Sequence, residues 1–143
     1  MDAPWLPPAG SDYGRRVRRR LEDEVVIWYT STGRDGAPAP NPVWFLPVEP
    51  GILVYNRPDA ARVRHARSRG QVALHFNSNA SGGDIVVFNG IAEVDESAPL
   101  PDLHAAYVEK YRARMERVSG SLEKFSESYP VAIVVRPERT RGF

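Results

Sequence analysis

The chain of 143 residues contains no cysteine, and that absence removes disulfide scaffolds, thiolate metal sites, iron-sulfur clusters and cysteine nucleophiles together. A cytoplasmic protein is the expectation that fits it. No apolar run approaches the ~20 residues a membrane helix requires, and the opening Met-Asp-Ala-Pro-Trp-Leu-Pro-Pro has no basic stretch followed by an apolar one. Neither a membrane span nor an export signal is expected. No G-x-G-x-x-G opens a helix after a strand, which argues against Rossmann-type dinucleotide binding. Ser31, Ser78, Ser81 and Ser119 lie in no nucleophile-elbow context, so acyl transfer has no foothold. His65 and His104 have no partner at metal-ligand spacing, and no metal is assigned.

What is present is arginine. All but two of the 19 basic residues are arginine, the formal net charge is only +1, and the arginines cluster at positions 15, 16, 18, 19 and 20 and again at 57, 62, 64, 67 and 69. A balanced total with local basic patches suits a small anionic ligand better than a long polyanion. The first cluster reads as an exposed helix face pairing with Glu22, Asp23 and Glu24. A nucleic-acid arm would call for interleaved stacking aromatics and a basic net charge, and both are missing. The length is that of one domain, large enough to bury roughly two thirds of its unfolded surface. Residues 1–12, proline-rich and without periodic apolar positions, read as a flexible arm, and residues 13–143 as a single domain.

The stretch from Ile27 to Leu46 carries the most information. Prolines at 38, 40 and 42 fall on one side of an extended strand, so that side offers carbonyls and no N–H donors until Trp44. Such a run confines a strand to a sheet edge or an opening. The N–H groups of Ala39, Asn41 and Val43 face the other way and can pair with the preceding strand, Val25 to Thr32, across a turn at Asp35-Gly36. An opening beside an aromatic-flanked edge would seat a flat ligand, and an edge protected from aggregation is the plainer alternative.

Further along, residues 13–24 form an amphipathic helix through Val17 and Leu21, and Glu49-Pro50-Gly51 reverses the chain into a strand from Ile52 to Asn56. Asp59 is the expected N-cap of a short helix, residues 60–69, with Gly70 at its C-terminal cap. Gln71 to Ser78 alternates as a half-buried strand, and Asp84 to Glu93 is a long one with Gly90 as a bulge. A helix follows over 103–118 on the ridge Leu103, Tyr107, Tyr111 and Met115. A short helical stretch covers 122–129, and Val131 to Val135 is a buried last strand from which the tail departs. Six strands in antiparallel succession with inserted helices predict a mainly β, α+β fold: a small barrel with short helical insertions.

The hairpin with Asp35-Gly36-x-Pro38, the following Pro42-Val43-Trp44-Phe45, the strand Leu53-Val54-Tyr55, the basic helix ending before Val72-Ala73-Leu74, and Gly90-Ile91-Ala92-Glu93-Val94 together resemble one family. It is that of the pyridoxamine 5'-phosphate oxidase-like split β-barrels, which bind flavin or deazaflavin, and within it the small oxidoreductases that use coenzyme F-420. The resemblance spans roughly residues 20–136. It implies an antiparallel FMN-binding-type split barrel and a homodimer with cofactor grooves between subunits. It also implies coenzyme F-420 as cofactor with FMN as the alternative, and hydride transfer to a small organic acceptor. By position, Asn41, Pro42, Val43 and Trp44 would line the ring, with Tyr55 and Asn56 beside it, and Arg57 and Arg62, supported by Arg64, would hold phosphate. Many relatives carry lysine near Arg62, so the phosphate-bearing ligand is left open; arginine can grip phosphate with two parallel hydrogen bonds where lysine is a point charge.

The residues support that placement on separate grounds. The N-terminal turn of the 60–69 helix offers free N–H groups and the positive end of the helix dipole close to three arginines. Redox chemistry of this kind belongs to the cofactor, so a missing catalytic triad is no objection. Trp28, Tyr29, Tyr55 and Trp44 are candidate aromatic walls, with Trp44 favoured by its place on the donor-poor edge. His75, opposite in parity to Val72, Leu74 and Phe76, is a candidate proton donor.

Overall fold

In the computed structural model, which describes residues 3–143, the first arginine cluster lies on helix α1 (Asp12–Asp23), started by Ser11, whose hydroxyl accepts the Gly14 N–H at 2.9 Å. Val17 and Leu21 are buried. Beside that apolar stripe Arg16 and Arg20 reach the Asp84 carboxylate at 2.8 and 3.2 Å, and Arg20 also pairs with Glu24 at 2.8 Å. The segment expected as a flexible arm is, over its described residues, laid against the sheet. Leu6 is buried, and the Trp5 ring meets Phe88 edge-on at 5.5 Å. Two large apolar side chains suffice to dock a stretch whose prolines already limit its freedom.

Strands β1 (Val26–Thr32) and β2 (Pro38–Trp44) form the expected hairpin. Gly36 takes a φ of +78° at the turn and donates its N–H to the Gly33 carbonyl at 2.9 Å, while the Asp35 carboxylate accepts the Ala37 N–H at 3.0 Å. Pro38, Pro40 and Pro42 stand opposite Thr32, Thr30 and Trp28, and Ala39, Asn41 and Val43 opposite Ser31, Tyr29 and Ile27. Among the described residues β2 has no strand partner other than β1 and forms one edge of the sheet, as the prolines require.

The remaining elements are β3 (Leu46–Pro47), β4 (Ile52–Asn56), α2 (Ala61–Ser68), β5 (Gln71–His75), β6 (Val86–Val94), a 3-10 turn (Pro101–Leu103), α3 (Ala105–Ser119), α4 (Leu122–Ser128) and β7 (Val131–Gly142). All strand pairings are antiparallel, in the order β2-β1-β5-β6-β7-β4-β3. The two edges of this sheet are consecutive in the chain, since only Phe45 separates Trp44 from Leu46. The sheet therefore curls until one stretch of backbone serves both edges, which makes it a split barrel.

Phe45 leaves one pairing before it joins the next, and its buried backbone needs partners from outside the sheet. Helix α3 supplies them. The Phe45 N–H donates to the Tyr111 hydroxyl at 2.9 Å, that hydroxyl donates to the Val25 carbonyl at 2.7 Å, and the Lys110 ammonium donates to the Phe45 carbonyl at 2.9 Å. The crossing also divides the second strand of the expected hairpin, giving seven strands among the described residues where the sequence reading has six.

Other departures have local causes. Strand β7 runs on to Gly142 and pairs with β6 along its length, because the charged residues after Val135 find backbone partners in β6 although their side chains leave the core. The β6–β7 register shifts at Asn89/Gly90, as expected of Gly90, where an added Cβ would sit 2.4 Å from the Arg136 carbonyl oxygen. Asp59 does not cap α2: Ala60 holds the cap position without a side-chain bond, and the Asp59 carbonyl accepts from Arg64 at 3.0 Å. Gly70, directly after the α2 cap residue Arg69, does not take the left-handed conformation either; its carbonyl accepts the Ala92 N–H at 2.6 Å. Leu103 is 70% exposed, so the α3 ridge begins at Tyr107.

Two apolar clusters result. One fills the barrel around Ile27, Tyr29, Phe45, Val54, Leu74 and Phe88; the other lies between the outer face of β4–β7 and helices α3 and α4, around Leu53, Tyr55, Tyr107, Tyr111 and Phe125. Strand β4 stands between them, which is why all five of its residues are buried.

Candidate functional site

A cavity of about 230 Å³ opens beside the edge strand β2, lined by Pro42, Val43 and Trp44, by Tyr55 of β4, by Arg62 of α2, and by Tyr107, Val118, Phe125 and Tyr129 from the α3–α4 region. Its walls are aromatic and aliphatic. The Trp44 ring is stacked on Tyr111 at 5.0 Å and on Phe125 at 5.5 Å, both within 8° of parallel. Tyr55 packs edge-on against Tyr107, and its hydroxyl donates to the Pro99 carbonyl at 2.5 Å. Burial pushes its pKa up to about 12, so it is a neutral wall whose proton is already committed.

Arg62 is the charged group of the cavity. Its Nε donates to the Asn56 carboxamide oxygen, and Asn56, fully buried, is itself fixed by Nδ2 bonds to the Val54 carbonyl at 2.9 Å and the Val131 carbonyl at 3.0 Å. The guanidinium is thus held in place while its terminal nitrogens keep no carboxylate partner among the described residues. Burial lowers its pKa, the mark of a cation that would gain from an anion. Tyr29 of β1, 1% exposed, does not line the cavity, and its hydroxyl has no hydrogen-bond partner among the described residues.

Of the residues expected at a cofactor site, Pro42, Val43, Trp44, Tyr55 and Arg62 line this cavity. Asn56 sits behind it as the anchor of Arg62. Arg57 lies at the rim, its guanidinium 4.9 Å over the Tyr129 ring. Asn41 is exposed on β2 and does not line the cavity, and Arg64 belongs to a different depression formed with Gly33, Arg34, Asp35, His65 and Ser68. The tertiary fold therefore does not bring the three expected arginines to one point.

His75 is not a cavity group. It stacks on Trp28 at 6.2 Å, and its Nδ1 lies 3.0 Å from the Phe76 carbonyl. His65 pairs through Nδ1 with the buried Ser31 hydroxyl at 2.7 Å, and His104 caps α3. Tyr107, Val118, Phe125 and Tyr129 have no place in the expected site, since as a sequence they read only as helix faces. The signal that could have found them is aromatic spacing: Tyr107/Tyr111 and Phe125/Tyr129 are each four apart, enough to present two rings on one helical side.

An aromatic-walled cavity with one fixed cation in its lining can hold a flat apolar ring system that carries an anionic group. No lining group is placed as nucleophile or general base, so any redox chemistry must come from what is bound. The volume is below the 300–1,000 Å³ usual for a small-molecule site, so it accommodates a portion of such a ligand.

Comparison with known proteins agrees with the architecture. A family model described as pyridoxamine 5'-phosphate oxidase matches residues 14–142. Among solved structures, a conserved hypothetical protein of Mycobacterium tuberculosis superposes with a TM-score of 0.72 at 14% identity, over 99% of this chain and 88% of that one. A protein named F420 reductase gives 0.64 at 20% identity, over 94% and 98% of the two chains. The haem storage protein HutZ of Vibrio cholerae gives 0.62 at 13%, over 87% and 89%. No curated protein matches the chain in sequence.

Proposed function

The chain belongs to the pyridoxamine 5'-phosphate oxidase family, and from that premise we propose that it is an oxidoreductase that binds the deazaflavin coenzyme F-420 and passes hydride to a small organic acceptor. The observation that carries this reading is the cavity beside the donor-free flank of β2, walled mainly by aromatic rings and lined by Arg62 without a carboxylate among the described residues. FMN, a planar ring on a phosphate tail, is the alternative, and a carrier that shelters the coenzyme without turnover is the non-catalytic version. The deazaflavin is preferred because the residues that resemble F-420-using oxidoreductases are joined by a fold shared with an F420 reductase.

When bound, the coenzyme supplies the two-electron chemistry. The chain's own residues hold and orient it: Pro42 lies on the flank of β2 with no competing strand, Val43, Trp44, Tyr55, Tyr107 and Phe125 exclude water, and Arg62 fixes the acidic end. The cavity is open and small, which favours completion by a second copy of the chain, in a homodimer of the cytoplasm. Haem storage, the property in the name of HutZ, is the weaker reading, because none of the three histidines lines the cavity.

Titration of the purified protein with F-420 and with FMN, followed by ligand fluorescence, tests the assignment. F-420 is expected to bind more tightly; FMN binding with no detectable F-420 binding would transfer the proposal to the flavin. Oxidation of reduced F-420 by enones or quinones above the protein-free rate separates enzyme from carrier. Arg62→Ala is expected to weaken coenzyme binding by roughly 1.5 to 3 kcal/mol, the range for a hydrogen bond to a charged group, with the fold intact.

A further inference from the structure

Tyr29 faces the barrel interior from β1, on the same side of the strand as Ile27 and Ser31. It stands opposite Asn41 of the edge strand in one direction and Leu74 of β5 in the other, one strand in from the open flank. Its hydroxyl is the one buried side-chain polar atom among the described residues without a hydrogen-bond partner. Buried polar groups in native proteins are satisfied with few exceptions, and phenylalanine would fill the same space at no polar cost.

Ser31, two residues along the same face of β1, bonds His65 of α2 at 2.7 Å, and Arg62 lies one helical turn before His65, so α2 carries the guanidinium toward Tyr29; each group also biases the other's ionisation. Tyr29 is a neutral donor, since burial raises its pKa well above the usual phenol range. Arg62 spends its Nε on Asn56 and offers its terminal N–H groups to no carboxylate. The Tyr29 hydroxyl therefore has no acceptor among the described residues, and the terminal N–H groups of the half-buried Arg62 have no carboxylate there. A water could accept from both, but it would bring two hydrogens of its own into the region of Ile27, Val54 and Leu74, where they would need acceptors. An anionic oxygen accepts from both donors and carries no hydrogen.

We propose that Tyr29 is a ligand-binding residue: its hydroxyl and the Arg62 guanidinium together hold one oxygen of an anionic group, of phosphate or carboxylate type, that enters from the cavity beside β2. This deepens the coenzyme reading by naming a second donor for the acidic end, and it rests on that reading only for the identity of what carries the anion.

Inorganic phosphate is the probe, applied at constant ionic strength to the wild type, Tyr29→Phe, Arg62→Ala and the double variant, with Tm as readout. Phosphate should raise the wild-type Tm in a saturable way. Tyr29→Phe should weaken the apparent phosphate Kd about tenfold, the effect of one hydrogen bond to a charged group. The double variant should be no weaker than Arg62→Ala, since both donors serve one oxygen. Without phosphate, Tyr29→Phe should be as stable as the wild type or more so. The proposal is overturned if phosphate leaves the wild-type Tm unchanged, if Tyr29→Phe binds it as well as the wild type, or if the phosphate-free variant melts lower. F-420 and FMN titrations of the same proteins separate the two proposals. If neither coenzyme binds while phosphate binding depends on Tyr29, the coenzyme reading fails and this one stands; if a coenzyme binds with affinity indifferent to Tyr29→Phe, the reverse holds.

Discussion

Replacing Tyr111 by phenylalanine tests whether α3 holds the barrel closed. The ring stays and only the oxygen is lost, so the aromatic stacking on Trp44 and Tyr107 is kept. What is lost is the acceptor for the Phe45 N–H and the donor to the Val25 carbonyl. The first loss leaves a buried N–H unpaired, at about 1 to 3 kcal/mol, and the second removes a bond worth about 0.5 to 1.5 kcal/mol net. The Phe45 carbonyl keeps Lys110. The sum, roughly 1.5 to 4.5 kcal/mol, is a large part of the about 5 to 15 kcal/mol that stabilises a domain of this kind, and corresponds to a Tm lowered by roughly 5 to 18 °C. Urea unfolding followed by circular dichroism measures it, with Tyr107→Phe as control, because the Tyr107 ring is equally buried while its hydroxyl, which is not sealed from the cavity, has no hydrogen-bond partner among the described residues. A Tyr111→Phe protein within about 0.5 kcal/mol of the wild type, or indistinguishable from the control, would refute the account of the closure.

Two further perturbations follow from named contacts. Gly51→Ala would place a Cβ 1.9 Å from the Val135 carbonyl oxygen, so β4 and β7 must part; a loss of about 1 to 3 kcal/mol is expected by thermal melting, as for an overpacked core, and a neutral result would contradict the register of that pair. Lys110 has its pKa lowered by burial to about 8 from the ordinary 10.5, so between those values the unfolded chain binds more protons and folding becomes more favourable as pH rises. Lys110→Met should flatten that rise. Urea midpoints at pH 7.5 and 9.5 for both proteins check this, and an equal slope in the two would exclude Lys110 as its source.

Local chemistry fixed much of this protein in advance. Three prolines on one side of a strand remove the donors a second neighbour would need, so β2 had to be an edge wherever it lay. Gly36 and Gly90 marked the turn and the bulge because the backbone there either takes a positive φ or leaves no room for a Cβ. Val17 and Leu21, and the alternation of Val72 and Leu74, gave the faces of a helix and a strand. Pro42, Val43, Trp44, Tyr55 and Arg62, which line the cavity, were named by the family resemblance, and the residues themselves singled out Trp44 on the donor-poor edge and Arg62 at the start of the basic helix.

Distance along the chain decided the rest. The use of Phe45 to join both edges of one sheet depends on Tyr111, which is 66 residues away. Tyr107, Phe125 and Tyr129 reach the cavity only because α3 and α4 dock on the outer face of β4–β7. Arg64, two residues from Arg62, is turned out of the site by the helical period of about 100° per residue. The unpaired Tyr29 hydroxyl has no trace in the sequence, where a tyrosine in a strand reads like any other aromatic; whether such a group is satisfied is settled by what the folded chain sets around it.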